Sequence, residues 1–231
     1  MASRKGRREA ALCGAIAAVV TAIVYGPFLV LGPEGVAHSL AVQLGRPLQV
    51  ESLAAALLVA AHHLGGLPLV LHEDHGSRNI VSTPGAYAGT VSTVLQLMLV
   101  AAVYVLFARG PVTRQRLVTA FAASVAAFVA LGKVFSPQYL IWLLPLVVLV
   151  AGLPGLLATV LTAAAFVLTQ LWFPDRYGQY ADHLHWVESV LVLARDLTVV
   201  GIAGVLIYAL ATRARAPVRP RRPSSSLAHD G

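Results

Sequence analysis

Charged residues and cysteines are both scarce in this chain. Only 12% of the 231 residues are Asp, Glu, Lys or Arg, about half the share of a typical soluble domain, whereas 58% are hydrophobic. The single cysteine, Cys13, excludes an intramolecular disulfide. The sequence also lacks a Walker-type lysine loop, a G-x-S-x-G and a G-x-G-x-x-G, so it offers no nucleotide-binding or serine-hydrolase motif. These absences argue against an ordinary soluble enzyme and indicate that lipid is the solvent of most of the chain.

The basic residues are unevenly placed. The net charge is +7, yet Lys and Arg gather at the ends of apolar runs instead of forming one patch interleaved with aromatic residues. A nucleic-acid partner is therefore not expected. The distribution is the one that orients membrane proteins, whose short cytoplasmic segments are rich in Lys and Arg.

Six apolar runs have the length that a helix needs to cross a bilayer, about 20 residues. The sequence therefore predicts an all-α fold, a polytopic transmembrane helical bundle of about six spans. The spans cover residues 10–31, 86–107, 117–135, 138–153, 156–173 and 186–212. A further run, 53–71, has a helical part of only ~18 Å before Gly65 and Pro68 interrupt it. That length favours a re-entrant or interfacial helix.

The placement of charge selects the topology. With six spans, the basic N-terminus (1–9), the loop at 109–116 and the tail (213–231) all lie on the cytoplasmic side, with twelve of the seventeen Lys and Arg residues. A crossing at 53–71 would move the loop and the tail outside. We therefore expect a multi-pass plasma-membrane protein with cytoplasmic N- and C-termini, a transmembrane region at 10–212 and a disordered tail.

The first polar stretch on the expected outer side is RPLQVES, from Arg46 to Ser52. The planar fork of Arg46 suits two contacts with a phosphate group at the membrane surface. Gln49, Glu51 and Ser52 would then line a cavity beside it. The alternative is structural, because Ser52 or Glu51 can cap the short helix that follows.

The second stretch, residues 133–145, breaks the helical pattern at a Ser-Pro step just below the expected outer interface. Broken backbone at that depth is tolerated where it is buried in protein or lines a wet cavity. We therefore expect Ser136, Gln138 and Tyr139 to line the cavity, and Lys133 to bind the phosphate. The alternative is an aromatic-belt turn in which the Lys133 side chain reaches up to the interface.

Two ionisable residues, Arg195 and Asp196, fall inside the last predicted span. Charges within a membrane are costly and mark paired or functional positions. Adjacent residues of a helix do not face each other, so an ion pair between these two is not expected. Arg195 is therefore the third candidate cation for the phosphate.

Histidines gather on the outer side without the pattern of a metal site. His62, His63, His72 and His75 flank two carboxylates, but there is no H-E-x-x-H and no cysteine ligand nearby. We expect no metal and no cofactor.

A family resemblance rests on two of these stretches, RPLQVES at 46–52 and FSPQYLIWLLP at 135–145. Both resemble the C-terminal half of family 87 glycosyltransferases, polytopic enzymes of the GT-C superfamily that include many actinobacterial mannosyltransferases. The resemblance extends over most of residues 10–212. It implies transfer of a hexose, mannose, from a polyprenyl-phosphate donor at the outer membrane face. The three candidate cations would stabilise the departing phosphate.

One departure from the family concerns the catalytic carboxylate, which its members generally carry in the first outer loop of a much longer chain. Here the first outer segment already resembles the later region, so the catalytic residue is unknown, and Glu34 and Glu51 are only chemical possibilities. We expect a fragment that comes from a truncated gene, a misplaced start or a split enzyme whose N-terminal half is encoded separately. A non-catalytic membrane scaffold or partner subunit would have the same composition. A transporter is less favoured, since it needs ionisable or broken elements near the bilayer midplane.

Overall fold

The computed structural model describes residues 4–74 and 76–213. Residue 75 and the tail beyond Arg213, with its predicted disorder, lie outside the described residues. Within the described ranges the chain forms nine α-helices, one short 3-10 helix and three short strands. In chain order they are α1 (Arg4–Leu31), α2 (Pro33–Gly45), β1 (Leu48–Gln49), α3 (Leu53–Gly65), β2 (Leu71–Asp74), β3 (Ser77–Ile80), α4 (Thr83–Ala108), α5 (Arg114–Leu131), the 3-10 helix (Pro137–Tyr139), α6 (Leu140–Val147), α7 (Leu153–Gln170), α8 (Tyr177–Ala181) and α9 (Trp186–Arg213).

The predicted all-α helical bundle is confirmed. Five helices are long and apolar enough to cross a membrane, which fits a membrane-embedded protein. They lie at Ala11–Leu31, Thr83–Ala108, Arg114–Leu131, Leu153–Gln170 and Trp186–Thr212. Their outward faces are apolar, as expected of helices whose solvent is lipid.

The chain divides into two compact units, Met1–Arg46 and Pro47–Gly231. The first contains α1 and α2. The sequence did not predict α2, which begins directly after α1 because Gly32 interrupts the first helix and Pro33 suits the first turn of the next. Glu34 lies in that first turn, where the helix dipole favours a carboxylate.

Packing in the second unit centres on α5, α7 and α9. The inner face of α5 consists of small side chains, among them Ala122, Ala123, Ala126 and Ala127, and all four are buried. Small residues let membrane helices approach closely, so dispersion contacts can hold the bundle without a hydrophobic driving force. Ala122, Ala123 and Ala126 pack in one core with larger buried side chains of α9, including Ile202, Leu206 and Leu210.

One end of this bundle is defined by Arg116, which is buried near the start of α5. Its Nη2 donates to Leu106 O at 2.8 Å and to Phe107 O at 3.2 Å, and its Nη1 donates to Leu210 O at 3.4 Å. The last carbonyls of a helix have no partner within the helix, and a cation there also complements the helix dipole. The start of α5 and the carboxyl ends of α4 and α9 therefore lie together, and we call this the Arg116 end.

The fourth predicted span, residues 138–153, contains a helix too short to cross a bilayer alone. The 3-10 turn and α6 together cover Pro137–Val147, or ~17 Å. A tight turn then leads into α7, with Gly152 at a φ of 77° that favours glycine. The segment nevertheless passes along the bundle, since Leu149 O lies 3.5 Å from Gln115 Nε2 at the Arg116 end while Ser136, towards the opposite end, lies 3.4 Å from Gln49 Nε2 just before α3.

The helix α3 enters the bundle from that opposite end. Arg195, about a third of the way along α9, holds the backbone just before the start of α3, whereas His63 near the other end of α3 lies 3.2 Å from Ser189 in the first turn of α9. The start of α3 is thus about 9 Å deeper along α9 than its end. A small antiparallel sheet, ordered β1-β3-β2, joins the entering segment to the β2–β3 hairpin, which the sequence did not predict. That α3 is re-entrant or interfacial stays a prediction.

Candidate functional site

A cluster of buried and half-buried polar residues lies at the point where α3 starts. We call it the Glu51 cluster; it consists of Gln49, Glu51, Ser136, Tyr177, Tyr180, Arg195 and Asp196. All seven belong to the second unit, and they come from four separate stretches of chain. The cluster brings together residues of the RPLQVES segment, the Ser-Pro break and the last span. A phosphate cavity shared by Arg46, Lys133 and Arg195 stays a prediction.

The segment Gln49–Ser52 is fixed by its own backbone and by two neighbours. Gln49 N donates to Lys133 O at 2.9 Å, and Val50 N donates to Arg78 O at 3.0 Å. Ser52 Oγ donates to Gln49 O at 2.8 Å and accepts from Ala55 N at 3.4 Å, so it caps α3. The capping role that the sequence left as an alternative for Ser52 is therefore present.

Arg195 is the central cation of the cluster, and its side chain is fully buried. Its Nη2 donates to Glu51 O at 2.8 Å, which ties α9 to the segment before α3. The guanidinium lies over the Phe135 ring, with Cζ 3.9 Å from the ring centroid, and 5.8 Å from that of Trp172. The head group of this predicted phosphate ligand is therefore enclosed by protein, and it orients the segment around Glu51.

The expectation that Arg195 and Asp196 do not pair was wrong. Arg195 Nε lies 2.8 Å from Asp196 Oδ1, and both side chains are fully buried. The Cα–Cβ bonds of the two residues point in different directions around the helix, but the long arginine side chain bends back to the Asp196 carboxylate. Burial explains the contact, because a buried charge without a partner is very costly.

The Glu51 side chain meets mainly neutral donors. Gln49 Nε2 lies 3.3 Å from Glu51 Oε1, and the Tyr177 hydroxyl donates to the same carboxyl group. Burial raises the pKa of Glu51 to about 7, although the charge of Arg195 and the two hydrogen bonds act to lower it. Burial and the Glu51 charge together raise the pKa of Tyr177 above its ordinary value, so its hydroxyl stays protonated.

Three aromatic residues of the cluster region were missed by sequence reasoning. Tyr180 donates to Val50 O at 2.6 Å, and the buried Trp172 packs edge-on against it with centroids 5.4 Å apart. Tyr177 stacks on Trp172 at 6.2 Å. The only signal in the sequence was a polar, aromatic-rich stretch between two predicted spans, and nothing in it pointed to a position more than 120 residues earlier.

Of the other predicted site residues, some reach the Glu51 cluster and some do not. Ser136 Oγ lies 3.4 Å from Gln49 Nε2, which brings it into the cluster, whereas the Gln138 side chain is exposed. Tyr139 is half-buried and stacks on Trp142 with centroids 4.4 Å apart. Lys133 is half-buried and contributes its carbonyl, as described above.

Arg46 is half-buried and is the last residue of the first unit. Its predicted role as a phosphate ligand stays a prediction. Glu34 belongs to the same unit and lies at the start of α2.

The interior of the cluster retains unused hydrogen-bonding capacity. Among the residues that the structure describes, Gln49 Oε1, Glu51 Oε2, Arg195 Nη1 and Asp196 Oδ2 are buried without a hydrogen-bond partner. Three acceptors and one donor can engage a small polar molecule such as water. Within residues 4–74 and 76–213, no three His, Cys, Asp or Glu side chains are grouped so as to hold a metal ion. The chemistry available here is therefore proton transfer and hydrogen bonding by a carboxyl group of nearly neutral pKa. No protein-family model, curated protein or solved structure matches the chain.

Proposed function

We propose that this chain takes part in transferring a hexose, mannose, from a polyprenyl-phosphate donor to an acceptor hydroxyl at the outer face of the plasma membrane. The N- and C-termini would be cytoplasmic, and a separately encoded partner chain would share the work. The proposal rests on the resemblance of RPLQVES and FSPQYLIWLLP to family 87 glycosyltransferases. One structural observation supports it: the two stretches meet at a buried carboxyl group, Glu51.

In this reaction the acceptor oxygen attacks the anomeric carbon, and the bond from that carbon to the phosphate oxygen breaks. The polyprenyl phosphate leaves with the electron pair, and a base takes the hydroxyl proton. A base works best when its pKa lies near the working pH, and Glu51, with a pKa of about 7, meets that condition. Glu51 is therefore our candidate for the base, and Arg195 is a positioning residue because it holds Glu51 by its backbone carbonyl.

A membrane scaffold or partner subunit is the second candidate. The observation that favours it is the enclosure of the cluster, since Glu51 is 3% exposed and Arg195 and Asp196 neutralise each other internally. Such a cluster would fix the re-entrant helix without touching a substrate. The two candidate functions predict different effects on sugar transfer when the Glu51 carboxyl group is replaced.

The test uses membranes of the source organism, in which any partner chain is present. Deleting the gene should reduce transfer of labelled mannose from polyprenyl-phosphate mannose, and the wild-type chain should restore it. Glu51→Gln keeps the shape but cannot accept the proton, so we expect restoration to fall by about 100-fold or more. The exposed Glu73→Gln is the matched control and should restore transfer fully.

Two outcomes would redirect the proposal. If Glu51→Gln restores transfer fully while the deletion abolishes it, the chain serves as a scaffold. If the deletion leaves transfer unchanged, the assignment to sugar transfer is wrong.

A further inference from the structure

Three ionisable side chains are buried together in the Glu51 cluster, and their charges do not balance. Glu51, Arg195 and Asp196 are 3%, 0% and 1% exposed, so one guanidinium stands against two carboxyl groups. The guanidinium makes its ion pair with Asp196, and towards Glu51 it donates to the backbone carbonyl. The Glu51 carboxyl is left with neutral hydrogen-bond donors. A buried carboxylate in such surroundings is costly and is relieved by taking up a proton.

We propose that Glu51 is a proton-binding site that locks the re-entrant segment, residues 49–52, against α9, and that loss of the proton loosens this segment. The proposal does not depend on sugar transfer. With the proton bound, the cluster contains one ion pair and neutral side chains. Without it, a second carboxylate competes with Asp196 for Arg195 or must draw in water. This competition would weaken the hydrogen bond from Arg195 Nη2 to Glu51 O, which holds the segment to α9.

The groups facing Glu51 from each neighbouring element are consistent with this site. From its own segment comes the neutral Gln49, and from α8 come Tyr177 and Tyr180. The Tyr180 hydroxyl is committed to Val50 O, so it does not solvate the carboxylate. The segment carrying Lys133 and Ser136 lies alongside, and Lys133 is therefore included among the variants tested below.

The pH dependence of stability follows from the direction in which the pKa of Glu51 is shifted. Burial raises the pKa of Glu51 from 4.5 to about 7, so the folded protein binds this proton more tightly than the unfolded chain does. The stabilisation that the Glu51 proton provides is complete at pH values below about 4.5 and is lost as the pH rises through about 7. Exposed carboxyl groups have already ionised over most of that range.

Infrared spectroscopy of the purified full chain in lipid nanodiscs can detect the proton. A protonated carboxyl has a carbonyl stretch distinct from that of a carboxylate. We expect this band at about pH 5.5 and its loss by about pH 8.5. It should shift in protein labelled with ¹³C-glutamate and not with ¹³C-aspartate, a result that needs no variant to fold.

Variants assign the band to one residue. Glu51→Gln should remove it, whereas Glu188→Gln should leave it, because Glu188 is equally buried but lies 3.7 Å from the cation of Arg176. Lys133→Gln should leave the band in place. Absence of the band at about pH 5.5, its persistence in Glu51→Gln, or a shift only with labelled aspartate would each overturn the proposal.

Hydrogen exchange tests whether the Glu51 proton holds residues 49–52 against α9. After normalisation for the intrinsic exchange rate, amide protection of residues 49–52 should fall at least several-fold between about pH 5.5 and about pH 8.5 in the wild type. Protection in the α5 core, at Ala122–Ala127, should not change. Equal protection of residues 49–52 at both pH values would refute the lock, whatever the infrared result.

Discussion

At the scale of single residues, the Arg195–Asp196 pair shows how this protein keeps charge inside a span. Both side chains are fully buried, and each neutralises the other at 2.8 Å. Removing one member of such a pair leaves an uncompensated buried charge, whereas replacing both by apolar side chains removes the charge altogether. Their contributions to stability should therefore be strongly non-additive.

Arg195→Met alone should destabilise the protein by roughly 3–5 kcal/mol, because Asp196 is left buried without its cation. Arg195→Met combined with Asp196→Leu should be less destabilised than the single variant. Both lose the hydrogen bond to Glu51 O, so the difference between them isolates the stranded carboxylate. Thermal unfolding in nanodiscs measures this, with the exposed Arg109→Met as control. A double variant as unstable as the sum of its two singles would contradict the argument.

A residue of the site could be predicted from the sequence only where its signal came from its near neighbours in the chain. Arg195 stood out as a charge inside an apolar run, and Ser52 as a helix cap, since both signals lie within a few neighbouring residues. Tyr177 and Trp172 gave no comparable signal, because their relation to Glu51 exists only after distant segments pack. The ion pair between adjacent residues was missed because the rule for helix neighbours considers backbone direction and neglects the reach of an arginine side chain.

At the scale of elements, hydropathy located the long helices and failed where the elements are short. The β2–β3 hairpin has strands of only four residues and turns at Gly76, with a φ of 67°, in a stretch with no clear alternation. The helix α6 ends after eight residues because the chain must turn sharply into α7. The residues of that turn are also apolar, so hydropathy alone predicts one long span.

The turn from α6 into α7 requires glycine at position 155. A Cβ there would overlap the Val150 carbonyl, which is backbone and cannot move aside cheaply. Gly155→Ala should therefore destabilise the protein by about 1–3 kcal/mol, as other overpacked sites do. Gly204→Ala in α9 is the matched control, since nothing lies within 4 Å of its Cβ position. It should be neutral or stabilising by up to about 1 kcal/mol. Equal unfolding midpoints for Gly155→Ala and the wild type would disprove the close approach.

At the scale of the second unit, the two ends of the bundle differ in charge. The Arg116 end carries the basic loop with Arg109 and Arg114, and the carboxyl end of α9 lies beside it. The opposite end carries exposed carboxylates, among them Glu73 and Asp182. The positive-inside rule therefore predicts that the Arg116 end faces the cytoplasm. This extends the charge argument made from sequence, because the contacts of Arg116 bring the loop and the end of the last helix to one side.

Cysteine labelling tests this orientation. In a Cys13→Ser background, Val112→Cys places a thiol in the exposed loop between α4 and α5, and Glu73→Cys places one on the exposed hairpin. A membrane-impermeant maleimide added to intact cells should label the Glu73→Cys variant and spare the Val112→Cys variant. Inside-out vesicles should reverse the result, and permeabilised membranes should label both. The two positions lie at opposite ends of one bundle whose crossing segments include the short α6. Labelling of both variants from the same side would mean that this segment does not complete a crossing in the membrane.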